Sequence, residues 1–149
     1  RKVDYVLAHE GLFSTMGSRF DGVFTKLHAL GLTDYAKVVV LDLDLAVLSC
    51  PDGLFDLPAP AAMHRAIRGN THGARLEGRN FFARESLDAE SQAYEWGQAG
   101  GINAGVMLLA PSQELYRRVL KEVCMPVHPA HIPGNGPEQD FLSRLFAPW

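Results

Sequence analysis

The stretch Val38-Val39-Val40-Leu41-Asp42-Leu43-Asp44 decides how this chain folds. Three β-branched residues and a leucine make a continuous apolar run, the pattern of a strand buried on both faces of a parallel sheet. The run passes straight into two carboxylates spaced i, i+2. On extended backbone alternate side chains share a face, so Asp42 and Asp44 are expected to point the same way. Open α/β sheets place their ligands at the carboxyl ends of strands. Two like charges this close repel unless a cation lies between them, and oxygen donors suit a hard divalent ion, Mg2+ or Mn2+. Such an ion keeps positions that a diphosphate can fill. Taken alone, D-x-D is more often an acid that caps the following turn beside a second that is solvated.

Outward from this stretch, strand-like and helix-like segments alternate. Val3 to Ala8 reads as a short strand. From Ser18, the residues Phe20, Val23, Phe24, Leu27 and Leu30 form an apolar stripe that predicts a helix ended by Gly31. Pro51 to Leu57 reads as a helical turn and Ala61 to Ala66 as a strand. Ile102 to Leu109 is a second apolar strand, and a helix opens at Pro111-Ser112 with the stripe Leu115, Tyr116, Val119, Leu120 and Val123. Met125 to Gly136, rich in proline and glycine, predicts a loop. Pro137 suits the first turn of a last helix whose apolar face is Phe141, Leu142, Leu145 and Phe146. The alternation predicts an α/β domain with a mainly parallel central sheet. Residues 65–100 form an irregular insert rich in Gly, Arg and Asn.

The chain has 149 residues, the size of one domain spanning 1–149. Its 47% hydrophobic and 21% charged residues exclude disorder, collagen and coiled coil. A net charge of −3 gives no general attraction to nucleic acid or to an acidic membrane surface. No apolar run approaches the roughly 20 residues that span a bilayer. Cys50 and Cys124 make no disulfide framework; they read as two small buried thiols in a reducing compartment, with a single bridge as the alternative. A start at Arg1 and an end at Pro148-Trp149 predict a piece of a longer product, incomplete at both ends.

Three blocks carry a resemblance. The first runs from Phe24-Thr25-Lys26 through Leu32-Thr33-Asp34-Tyr35-Ala36-Lys37 and Asp42-Leu43-Asp44 to Leu54-Phe55-Asp56-Leu57-Pro58. The second is Ile102-Asn103-Ala104-Gly105-Val106, extending to Pro111-Ser112, and the third is Gly136-Pro137-Glu138-Gln139-Asp140-Phe141-Leu142. In this order they resemble glycosyltransferase family 8, the group of the glycogenins and galactinol synthases. The resemblance covers residues 20–62 and 101–146.

It implies a GT-A, Rossmann-like fold and transfer of a sugar from a UDP-sugar donor, with retention, to a carbohydrate, polyol or protein acceptor. By the same resemblance Asp42 and Asp44 are metal ligands for Mn2+ (or Mg2+), and Lys26, Leu43, Asn103, Ala104 and Gly105 complete the donor site. Gln139 and Glu138 stand near the reaction centre, Glu138 where the family usually has Asp. The cytoplasm is the expected compartment, with the secretory pathway as the alternative. Two of the family's features are missing. Its first strand with a uracil-stacking tyrosine is not found, and its third metal ligand, a C-terminal His, has no counterpart in order: His131-Ile132-Pro133-Gly134 precedes Gln139.

Other readings stand beside this one. A phosphatase of the haloacid-dehalogenase type also places D-x-D after an apolar strand, with Asp42 as nucleophile and Asp44 as acid/base, though Leu45-Ala46 replaces the small pair usual there. A truncated, inactive transferase-like domain that binds nucleotide is the non-enzymatic alternative. Arg65, Arg68, Arg75, Arg79 and Arg84 with His64 and His72 make a basic stretch, read as a solvated face or a loop over an anion. His128-x-x-His131 has metal-ligand spacing without Cys or Asp partners, and Tyr94 and Trp96 beside Gly100-Gly101 suit sugar stacking or core cover.

Overall fold

The computed structural model describes residues 2–9, 22–64, 102–125 and 137–146. The strands β1 (Val38–Leu41), β2 (Ala61–His64) and β3 (Ile102–Leu109) form one sheet in the order β1-β3-β2. A 3-10 helix at Val23–Gly31 precedes β1, a short 3-10 turn at Asp52–Asp56 follows it, and the helices α1 (Gln113–Val123) and α2 (Pro137–Leu145) follow β3. The basic stretch beyond His64, Tyr94, Trp96, the His128/His131 pair and residues 18–21, where the sequence predicts the start of the first helix, lie outside the described residues.

The expected mainly parallel sheet is corrected: both described pairings are antiparallel, Val38↔Leu109 through Leu41↔Val106 and Ala61↔Leu108 through His64↔Ile102. An apolar run reports burial, not strand direction, and β3 is the strand that is buried. With a neighbour on each side and α2 packed on it, β3 is buried or half-buried along its whole length. β1, by contrast, is only half-buried, and Leu41 is exposed.

The first helix is 3-10 rather than α. Phe24, Leu27 and Leu30 are fully buried, and their spacing of three is the repeat at which a 3-10 helix stacks side chains. Each such side chain stabilises the fold by about 1.5–3 kcal/mol through burial. Phe24 meets Phe141 of α2 edge-on at 5.7 Å. The helix also docks on α1: Leu30 O accepts from Ser112 N–H at 2.9 Å, and the Tyr116 ring lies where a side chain on Gly31 would stand, 3.1 Å from its Cβ. Ser112 caps α1, its hydroxyl accepting from Leu115 N–H at 3.2 Å, as the Pro111-Ser112 start predicts.

Val3 to Ala8 keeps the alternation of a strand, with Val6 and Ala8 buried and Val3, Tyr5 and Leu7 exposed, but it joins no ladder. Contacts to the two flanking helices hold it instead: Val6 N–H donates to Thr25 Oγ1 at 3.1 Å, and just after the segment His9 N–H donates to Val123 O at the end of α1 at 2.9 Å. Cys50 and Cys124 are free and exposed, which corrects the expectation of buried thiols. Cys50 lies in the exposed run after Asp44, and Cys124 is the residue that ends α1.

Candidate functional site

The site grows from an irregularity in the sheet. Ala62 of β2 pairs with Met107, yet the next residue, Met63, pairs with Asn103, so β2 passes over Ala104, Gly105 and Val106. A break of this kind frees backbone groups that the ladder would otherwise use, and such breaks re-aim chain beside functional sites. Side chains from two other elements and from β3 itself, with one backbone N–H from just past β1, bond the backbone of Ala104 and Gly105. Ala104 N–H donates to Gln139 Oε1 of α2 at 3.0 Å, and Gly105 N–H donates to Asn103 Oδ1 at 2.8 Å. Gly105 O accepts from Asp42 N–H at 2.9 Å, just past the end of β1. Ala104 O receives the Lys26 ammonium at 3.4 Å.

Lys26 stands at the centre. Its Nζ donates to Asp42 Oδ1 at 2.9 Å and lies 3.5 Å from Glu138 Oε1, so one cation bridges a carboxylate of the β1 end and one of α2. The Lys26 and Glu138 side chains are nearly buried, at 14% and 11% exposed, whereas Asp42 at 39% opens on solvent. The accessible acid of the cluster is therefore Asp42.

Gly105 is required by this crowding. A Cβ on it would come within 2.9 Å of Asn103 Oδ1 and 3.5 Å of Asp42 Oδ2. Because Asn103 Oδ1 and Gln139 Oε1 are both taken by backbone N–H groups, the ends of these amides left for a ligand are their NH2 donors. Such donors suit oxygen acceptors.

The structure thus brings together Lys26, Asp42, Asn103, Ala104, Gly105, Glu138 and Gln139 from three separated blocks of sequence. Leu43 and Asp44 differ from expectation. β1 ends at Leu41 and they form a turn, not extended backbone, so the shared face that i, i+2 spacing gives a strand does not apply. Both are exposed. Among the described residues no group of three or more His, Cys, Asp or Glu side chains could hold a metal ion. What Asp42 and Asp44 offer is two carboxylates, a donor set that suits Mg2+ or Mn2+ only when phosphate and water supply the other positions.

Two supporting roles escaped the sequence reading, that of Ser143 and that of Lys37, a residue quoted only as part of the first block. Ser143 of α2, buried, accepts from Ile102 N–H at 2.9 Å and anchors the start of β3. Lys37 donates to Phe55 O at 2.6 Å and Leu57 O at 2.7 Å, tying the chain before β1 to the turn after it. No sequence periodicity marks either role, since all three bonds join side chains to backbone groups far away in the chain.

No protein-family model matches the chain. An uncharacterized protein of Acanthamoeba polyphaga mimivirus is 33% identical over 144 residues, covering 97% of this chain and 46% of that protein. Human glycogenin-1 is 31% identical over 127 residues, covering 84% of this chain and 26% of its own length. Glycogenin-1 of Caenorhabditis elegans is 28% identical over 126 residues, covering 85% and 21%. The chain spans less than half the length of these curated relatives. It is a distant homologue of glycogenin-1.

Proposed function

We propose that this chain is a GT-A-like glycosyltransferase domain spanning 1–149 that transfers a sugar, with retention, from a UDP-sugar to a carbohydrate, polyol or protein acceptor. The observation that carries this reading is the gathering of Lys26, Asp42, Asn103, Gly105, Glu138 and Gln139 around the break in β3, in a chain distantly related to glycogenin-1. Asp42 and Asp44 would hold Mn2+ or Mg2+, with the donor diphosphate as further ligand. When bound, that cation supplies Lewis-acid stabilisation of the negative charge on the departing nucleotide.

The chain's own residues do the rest. The NH2 ends of Asn103 and Gln139 orient the donor by hydrogen bonds to its oxygens. Gly105 keeps the backbone low enough for a ligand to approach Asp42. Lys26 fixes one oxygen of Asp42 and leaves Oδ2 outside that ion pair. Calorimetric titration of UDP into the protein with and without Mn2+ tests the reading. Metal-dependent binding that Asp42→Ala abolishes supports it; binding of UDP indifferent to Mn2+ contradicts it.

A further inference from the structure

We propose that the outer edge of β1 is a pairing surface on which β1 of a second copy of this chain docks antiparallel. The inference is independent of the sugar-transfer reading. In an antiparallel ladder alternate residues turn both backbone groups toward the neighbouring strand. Asp42, just past β1, donates its N–H to Gly105 O of β3, so Val40 and Val38 face β3 as well. Val39 and Leu41 therefore direct their N–H and C=O groups away from β3, and among the described residues nothing takes these groups up.

The two edges of the sheet differ. Pro58 and Pro60 stand before β2, and its register breaks between Ala62 and Met63; both features blunt an edge against further pairing. β1 has neither. It is four apolar residues in unbroken register, with no charge inside it. Lys37, which precedes it, does not stand free at the edge, because its ammonium is drawn onto Phe55 O and Leu57 O. Apolar side chains exposed singly are ordinary, but Leu41, Leu43, Leu45, Val47 and Leu48 are all exposed within eight residues of chain. They present on the order of 600 Å2, against the ~800 Å2 that each partner covers in an interface of standard size.

A second copy fits this edge because the strand is its own complement. Pairing centred on Val40 sets Val39 opposite Leu41 of the second copy, and Leu41 opposite its Val39. Four N–H···O bonds then satisfy every outward group of Val39 and Leu41 in both copies. In this register Asp42 stands opposite Val38 of the second copy, so the two carboxylates do not face each other across the seam.

Sedimentation equilibrium of the whole chain, from about 1 to 300 µM, tests this. A dimer with a Kd on the order of tens of micromolar is expected, as an interface below standard size gives. Leu41→Lys places a charge on the edge at an exposed position and is expected to weaken the dimer at least about tenfold. Met63→Lys, the same kind of change on the opposite edge of the sheet, is expected to alter it by less than about twofold. Amide exchange in the wild-type chain needs no variant and holds even if Leu41→Lys fails to fold. The Val38 and Val40 amides are expected to be protected at every concentration, and those of Val39 and Leu41 only where the dimer forms. A chain that stays monomeric throughout overturns the proposal. So does a dimer in which the Val39 and Leu41 amides exchange freely, or one that Met63→Lys weakens as much as Leu41→Lys.

Discussion

The Lys26 ammonium and the Asp42 carboxylate meet at 2.9 Å across 16 positions of sequence, and Glu138 closes the group from 112 positions away. Removing the cation leaves Glu138 nearly buried with its charge unpaired. Lys26→Met is expected to cost about 2 kcal/mol, between the value of an exposed pair and that of a fully buried one because Asp42 is open to water. Urea denaturation of the two proteins measures it, and an unchanged midpoint would show the pair to be ornamental to stability.

Gly105 leaves no room for a methyl group. In Gly105→Ala the new Cβ would stand 2.9 Å from Asn103 Oδ1, so the amide must move and Gly105 N–H loses its acceptor. A loss of about 1–3 kcal/mol is expected, together with weaker UDP binding, because the displaced group is the one aimed at the ligand. Thermal unfolding and calorimetry read the two effects separately.

Ser143→Ala tests the anchor of β3. The hydroxyl is the acceptor for the buried Ile102 N–H, and its removal leaves that donor unsatisfied at a cost of about 1–3 kcal/mol. Since the Ser143 hydroxyl accepts from Ile102 N–H rather than bonding a candidate ligand group, UDP affinity at a temperature where the variant is folded is expected to stay within about twofold of wild type. A large drop in affinity with unchanged stability contradicts the assignment.

Lys37→Met loosens the turn after β1. Its two bonds to Phe55 O and Leu57 O are exposed, so the global cost is expected to be below about 1 kcal/mol. Amide exchange at 54–57 is expected to quicken while that of β3 does not. Equal acceleration in both would mean that the turn and the sheet open as one unit.

The elements were legible where a local pattern dictates them. Ile102–Leu109 is a mostly apolar run, broken by Asn103, between Gly101 and Ala110-Pro111, and it is a strand over that whole length. Ser112 and the stripe ending at Val123 set α1. Strand direction was not legible, because Val38–Leu41 has the same apolar content whichever way its neighbour runs. The 3-10 form of the first helix was present in the spacing of Phe24, Leu27 and Leu30, but that spacing also fits an α-helix. At the candidate site, Lys26, Asp42, Asn103 and Gln139 were singled out by their blocks. How they meet, however, involves the register break beside Ala62 and Met63, which no residue type announces. The turn at Leu43-Asp44 ended β1 one residue before the first acid, so the strand rule for i, i+2 side chains reached too far.

We propose that a divalent cation and a nucleoside diphosphate meet at Asp42 beside the break in β3. Paramagnetic broadening of backbone amides by Mn2+ in the presence of UDP tests it most directly. The account predicts that the amides of Asp42, Leu43, Asp44 and Gly105 lose intensity first, and that Asp42→Ala prevents it. Broadening centred elsewhere, or unaltered by that substitution, would contradict it.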